Sequence, residues 1–258
     1  MAAGDPTYRW GVWANGTMSK VDNYETKTRY NGGIFVSMLG VDYKLFESFV
    51  VGIGSGIEYT SLSTDFNDGQ LFITGGSVSP YVGWAILDNL VLDVLANVAI
   101  SGNYSERLSG LFSYSSRYTT YRTMIGSNVT YSYLLGNWNL GAKAGFMYAN
   151  SHTPEYIERN GFGLRNRNEA SNAYLGEWSF GGRVGYIFDS IEPYISLTYL
   201  WDPWMPNANL VDRDEVEATL GLNIAATDQF MISMELTNSF FRKFVSATSF
   251  MANLRYEF

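Results

Sequence analysis

Between Phe49 and Thr60 the chain reads FVVGIGSGIEYT, and this alternation limits its fold more than any other stretch does. At a period of two, Phe49, Val51, Ile53, Ile57 and Tyr59 share one face, and Gly52, Gly54, Gly56, Glu58 and Thr60 share the other. A strand with one greasy face and one small or polar face needs apolar matter on one side only. That matter is either a protein core supplied by other elements or lipid.

Composition decides between the two in favour of lipid. The 258 residues are 46% hydrophobic, yet mean hydropathy is −0.09, so the apolar residues are interleaved and not clustered. No run approaches the ~20 apolar residues of a membrane helix. Weak hydropathy per segment with strict alternation is the profile of a membrane barrel, whose lipid-facing and lumen-facing positions take turns. The 19 Tyr, 16 Phe and 7 Trp exceed what an ordinary core uses, and aromatic girdles at two interfaces account for them. The chain has no cysteine, which excludes a disulfide-stapled scaffold and suits a protein of the cell envelope. A net charge of −8 argues against nucleic acid as a partner.

Met1 to Thr7, MAAGDPT, lacks the charged and apolar regions of a secretory signal. It is expected to be a disordered, processed or engineered start, so the chain is expected to be less than the whole gene product. From residue 8 to 258 the pattern predicts one barrel domain of about twelve antiparallel strands in up-and-down order. Short turns fall at 45–48, 87–89, Gly136-Asn137, 189–192 and 226–229. Polar loops fall at 21–29, 63–69, 102–117, 150–172 and 202–214. Short turns on one side and long loops on the other predict periplasmic turns, extracellular loops and periplasmic termini. The second strand, about 30–43, has apolar residues on both faces, so its existence is clearer than its facing. Pro80 interrupts the fourth strand and is expected at a bulge.

The lumen face is where any function has to sit. The alternation places Arg9, Glu58, Asp93, Arg122, Lys143, Glu177, Arg183, Glu217, Glu235 and Arg255 on it, with the two signs equally represented. One reading is a ladder of ion pairs and hydrogen bonds filling a wet lumen. The other is a polar track that holds a linker helix or an unfolded segment. The glycines Gly52, Gly54 and Gly56 would leave room for such a guest, and glycines also serve strand curvature. Catalysis finds little footing. His152 is the single histidine and sits in a long loop without an acid or base at a defined spacing, so it reads as solvated. Glu155, Glu158 and Glu169 belong to a mixed Glu/Arg loop of the kind that is usually solvated too. No metal, phosphate or cofactor motif is present in the sequence.

Several blocks resemble the β-domain of autotransporters, the barrel of type V secretion, over nearly the full length. These are GVWANG, LGVDY from Leu39 to Tyr43, VSPYVGW from Val78 to Trp84, and EPYISLTYLWD from Glu192 to Asp202. The last strand, with Tyr256 and the terminal Phe258, is similar to the aromatic signal that the barrel-assembly machinery reads in outer-membrane barrels. The resemblance implies a bacterial outer-membrane translocator that anchors, and helps to export, an N-terminal passenger. It implies outer-membrane lipid and lipopolysaccharide as surroundings, a passenger or linker helix in the lumen, a monomer, no cofactor and no enzymatic activity. The alternative is a stand-alone barrel acting as a narrow solute pore. One departure stands out: the family carries a passenger and a pore-crossing helix before its first strand, and only about seven residues precede the first strand here.

Overall fold

Backbone hydrogen bonding in lipid leaves an alternating β chain one stable solution, a sheet without edges. The computed structural model, which describes residues 8–204 and 213–258, has that form. The start at 1–7 and the middle of the 202–214 loop lie outside the described residues. The strands are β1 (Trp10–Asn23), β2 (Tyr30–Phe46), β3 (Phe49–Thr64), β4 (Gly69–Leu87), β5 (Leu90–Ser109), β6 (Phe112–Leu135) and β7 (Trp138–Thr153), followed by β8 (Tyr156–Asn160) and β9 (Arg165–Asn168). The remainder are β10 (Ser171–Tyr186), β11 (Ile191–Trp204), β12 (Asp214–Ala225), β13 (Phe230–Phe240) and β14 (Val245–Glu257). The short β8 and β9 form a side hairpin, and the other twelve make an antiparallel ring. It closes where β1 pairs with β14, from Gly11 opposite Glu257 to Asn23 opposite Val245. Trp10 and Phe258 exchange backbone hydrogen bonds of 3.0 and 2.9 Å at the foot of this seam.

The distribution of side chains is inverted relative to a water-soluble domain. Among the described residues the buried apolar set is Ala99 and Tyr194, whereas the buried polar set includes Asp42, Thr60, Ser79, Ser101, Asn103, Asp202 and Glu215. Ile53, Ile57 and Tyr59 of β3 point outward, with Ile57 64% exposed, while Gly54, Gly56 and Thr60 of the alternate face are buried. From Phe49 to Tyr59 the apolar face climbs about 25 Å at ~3.3 Å per residue and ~40° of tilt, the height of a membrane barrel's apolar band. Rings gather at both ends of it. Near the short turns Trp10 lies 4.8 Å from Tyr43, Trp138 lies 4.9 Å from Tyr186, and Tyr186 lies 4.5 Å from Phe188. Near the loops Tyr59, Tyr121, Tyr148, Trp178 and Trp201 are exposed.

Three local expectations change. The stretch 102–117 is not a loop: β5 and β6 continue as a paired ladder to Ser109 opposite Phe112, because Ser, Thr and Tyr go on alternating after the apolar face ends. The stretch 150–172 likewise holds the end of β7, the β8–β9 hairpin and the start of β10. Pro80 sits at no bulge, since β4 keeps one register on either side of it, Val78 opposite Val98 and Tyr81 opposite Leu95. Its missing N–H costs a ladder bond without displacing the strand. The facing of β2 also resolves: Leu39 and Val41 are exposed, and Val36 and Met38 line the interior.

An arginine placed at the middle of the apolar band tests the outer face. Ile53→Arg should destabilise the barrel in lipid vesicles by about 2–4 kcal/mol. Phe66→Arg, in the exposed β3–β4 loop, should change it by less than about 0.5 kcal/mol. Urea unfolding followed by tryptophan fluorescence reads both, and equal stability for the two variants contradicts the assignment.

Candidate functional site: the barrel lumen

Small residues on the inward face let long side chains from neighbouring strands lie across them, and this organises the lumen wall. The clearest case joins β14 to β2 over β1. Arg255 donates to Asp42 through both terminal nitrogens, each at 2.8 Å, and Asp42 is only 3% exposed. The strand between contributes Gly11, where any Cβ would collide with this pair. Tyr81 of β4 donates to Asp42 at 2.7 Å, and the indole N–H of Trp13 donates to the Tyr81 hydroxyl at 2.5 Å. Arg255 also donates to Glu257 at 2.8 Å. A buried carboxylate thus has three donors, which is what makes its burial tolerable.

The same construction recurs around the ring. Glu58 of β3 pairs with Arg122 of β6, and Ser101 of β5 donates to Glu58 at 2.6 Å. Arg183 of β10 meets Glu192 of β11 at 2.7 Å while its guanidinium stacks 3.7 Å above the Tyr194 ring. Asn139 and Asn223 donate to the two oxygens of Glu192 at 2.8 and 2.9 Å. Tyr194 donates to Glu235 of β13. Arg242, just after β13, holds Asp202 at 2.5 Å and Glu215 at 2.9 Å.

Of the ten charged residues expected in the lumen, six therefore take part in these clusters: Glu58, Arg122, Arg183, Glu235 and Arg255 by ion pair or hydrogen bond, and Glu217 through its nearness to Glu215 and Arg242. Glu177 lies in the field of Asp202 and Arg242. Asp93 and Lys143 face one another electrostatically without an ion pair, and one oxygen of Asp93 is buried without a hydrogen-bond partner among the described residues. Arg9 is exposed at the rim and reaches the Tyr43 hydroxyl at 3.4 Å. Sequence reasoning passed over Trp13, Asp42, Tyr81, Glu192, Tyr194, Asp202, Glu215 and Arg242. Parity alone places Trp13 with Arg9, Gly11 and Asn15, a signal that was present. Asp42 fell on the ambiguous β2, and Glu192 and Asp202 on stretches read as a turn and a loop; Tyr81, Tyr194, Glu215 and Arg242 lay outside the stretches read as turns and loops.

The glycine row is not the open wall that its sequence suggests. Gly52 is covered by the Tyr81 ring, Gly54 and Gly40 by the Trp13 indole, and Gly56 by Met38 and Ser77. Free space lies instead toward the loop end, in a cavity of about 470 Å³ lined by Val36, Met38, Ala99, Arg122, Met124 and Leu175 among others. His152 stays outside the lumen, its Nδ1 2.8 Å from the side-chain oxygen of Asn172 across the β7–β10 ladder.

Above the apolar band, the β8–β9 hairpin is fastened to the tall β5–β6 ladder. Glu158, 5% exposed, accepts from Arg107 at 2.6 and 3.2 Å and from Asn166 at 3.0 Å. Tyr118 and Tyr156 stack at 4.1 Å beside it. The hydrogen bonds from Arg107 outweigh burial and hold the Glu158 carboxyl below its usual range.

Two outcomes test these contacts. Asp42→Ala and Arg255→Ala each strand a buried partner and should cost about 3–5 kcal/mol, with the double variant losing less than the sum of the singles in urea unfolding. Because the folded pKa of Glu158 is depressed, its stabilising effect is complete above the ordinary Glu pKa of about 4.3 and is lost as pH falls through the lower folded value. Amide protection factors over 156–168, corrected for intrinsic exchange, should fall in that acidic window and not at neutral pH. Glu158→Gln should show reduced protection at neutral pH and no such step.

Comparison with known proteins adds the lineage. The fold superposes on the translocator domain of the autotransporter NalP from Neisseria meningitidis with a TM-score of 0.83 at 12% identity, covering 97% of this chain and 88% of that one. For the β-domain of the Bordetella autotransporter BrkA the TM-score is 0.78 at 17% identity, covering 97% and 100%. For the transport unit of AIDA-I from Escherichia coli it is 0.70 at 13% identity, covering 100% and 93%. Comparison with curated proteins returns no match. At these identities the superpositions show the fold alone, but the family model for the autotransporter β-domain matches residues 12–237, and the chain belongs to that family of bacterial outer-membrane barrels.

Proposed function

We propose that residues 8–258 act as one translocator domain that anchors an N-terminal passenger in the outer membrane and helps it across, with both termini on the periplasmic side. The observation that carries this reading is the direction of the lumen's polar contacts. The ion pairs and side-chain hydrogen bonds described above join strands no more than three apart around the ring: β14 to β2, β1 to β4, β3 to β6, β7 to β11 and β11 to β13. None spans the axis. Apart from Asp93 and Lys143, the charges named above find their partners along the wall, and a polypeptide entering along the axis meets hydrogen-bonding groups without having to break the barrel's bracing. Membership of the family supports the same reading. Folding through the barrel-assembly machinery, with Tyr256 and Phe258 as its signal, and action as a monomer surrounded by outer-membrane lipid and lipopolysaccharide complete the proposal.

A reporter with a secretory signal, fused ahead of the barrel and expressed in a Gram-negative host, should become sensitive to externally added protease. Ala99→Trp, which intrudes into the cavity, should reduce surface reporter by about tenfold or more, equivalent to ~1.4 kcal/mol. Ile100→Trp, on the outer face, should leave it unchanged. A reporter retained in the periplasm by a correctly folded wild-type barrel defeats the reading. Conductance steps in planar bilayers without display favour the solute pore.

A further inference from the structure

The outer face of the β6–β8–β9 sheet carries an arrangement that ladder energetics disfavour. Arg159 of β8 stands directly opposite Arg165 of β9, and Ser115 of β6 stands opposite Arg159. Residues opposite one another put their Cβ atoms about 4.5–5.5 Å apart on one side of the sheet, where like charges repel. Both arginines are exposed, and neither has an ion-pair partner among the described residues. Two positions along β6 from Ser115 is Arg117, on the same face, with its guanidinium 5.6 Å from the Tyr104 ring centroid. Of the remaining charges on this face, Arg167 is held by Glu155 at 2.6 Å, and Glu106, which keeps its charge while accepting from Ser113 and Tyr104, lies opposite Ser115 two strands from Arg159 and forms no ion pair with either arginine. Arg107 and Glu158 neutralise each other on the opposite, inward face.

An uncompensated arginine pair in a rigid ladder is a receptor for a tetrahedral oxyanion, because two guanidinium forks match phosphate oxygens. Position selects the anion's carrier. This face continues upward from the apolar band, passing Ile100 and Tyr121, both exposed, to Tyr104, Arg117 and then the arginine pair, with Ile157 exposed beside it. At ~3.3 Å per residue and ~40° of tilt, Arg117 stands about 10 Å, and Ser115 about 15 Å, beyond the ring of Tyr121. The headgroup layer of a phospholipid leaflet reaches only about 5–8 Å beyond the hydrocarbon. Allowing ~6 Å of downward reach for an arginine side chain, Arg117 meets a phospholipid phosphate but the pair at the height of Ser115 does not. A glycolipid with phosphate on a tall saccharide headgroup reaches this height while its acyl chains lie against Val98 and Ile100.

We propose that Arg159 and Arg165, with Arg117 below them, bind a saccharide phosphate of an outer-leaflet lipopolysaccharide molecule whose acyl chains pack on the outer face of β5 and β6. The proposal rests on the reading that the loop end faces outward. It also explains why the β8–β9 hairpin is locked down through Arg107 and Glu158, since that lock holds the two guanidinium groups at the required height.

The test uses the full chain refolded in detergent, with purified phosphorylated rough lipopolysaccharide as probe and native mass spectrometry as readout. Wild type should retain lipopolysaccharide about tenfold more strongly than Arg159→Ala/Arg165→Ala, while Arg159→Lys/Arg165→Lys falls between them. Retention of the folded, heat-modifiable band in gels shows that each variant still forms a barrel. The proposal is overturned by equal retention in wild type and double variant, by unchanged retention of enzymatically dephosphorylated lipopolysaccharide, by a matching arginine dependence for phosphatidylglycerol, or by full competition from millimolar inorganic phosphate. Failure of a folded wild type that still displays a reporter to retain lipopolysaccharide removes this inference alone. Failure of wild type to insert into bilayers removes the membrane reading together with it.

Discussion

The closure of the sheet between β1 and β14 is the contact on which everything else depends. In hydrocarbon an unpaired N–H or C=O costs several kcal/mol, and an open barrel exposes two strands' worth of them. The continuous ladder from Gly11–Glu257 to Asn23–Val245, finished by the reciprocal bonds of Trp10 and Phe258, removes that cost. Closure also fixes which side is which. Once the sheet is a tube, alternation sends Ile53, Ile57 and Tyr59 to lipid and Glu58 and Thr60 to the interior, and no apolar core is needed.

Inside, the difficulty passes from the backbone to the charges. A carboxylate as enclosed as Asp42 is tolerable only with several donors on it, and those donors come from strands that are not adjacent, whereas Asp202 relies on Arg242 at one of its two oxygens. Glycine makes such reach possible. Gly11 lies under the Arg255–Asp42 pair, Gly52 under Tyr81, Gly40 and Gly54 under Trp13, and Gly221 under Tyr194. Each is a crossing point where one strand gives up its side chain so that two others can meet above it. The inward glycines thus brace the wall, and the space they leave is already occupied.

Much of this was legible in the chain because a period of two is hard to counterfeit over twelve strands. The turns announced themselves where the required conformation is special: Gly136, with φ of 61°, followed by Asn137, joins β6 to β7 in two residues. Charged residues flanked by apolar neighbours, such as Glu58, Arg122, Arg183 and Arg255, could be placed inside because lipid rejects them. The signal failed where lipid stops enforcing it. Beyond the apolar band Ser, Thr, Asn and Arg suit either a loop or a strand, so the tall β5–β6 ladder and the β8–β9 hairpin read as loops, and so does the 202–214 stretch that Asp202 opens. On β2, where Val36 and Met38 line the lumen cavity, both faces are apolar and parity has nothing to read; Asp42 went unnoticed there.

The lateral sense of the lumen's contacts bears most directly on transport. Had Arg122 or Arg255 reached across the axis for its partner, any polypeptide passing through would have had to separate a buried pair, at about 3–5 kcal/mol for each. Pairs that run along the wall, Arg122 to Glu58 and Arg255 to Asp42, would impose no such barrier on a chain placed along the axis. A barrel braced around its circumference keeps its closure whether the axis is filled or empty, so the stability demanded by lipid does not depend on interactions that span the axis.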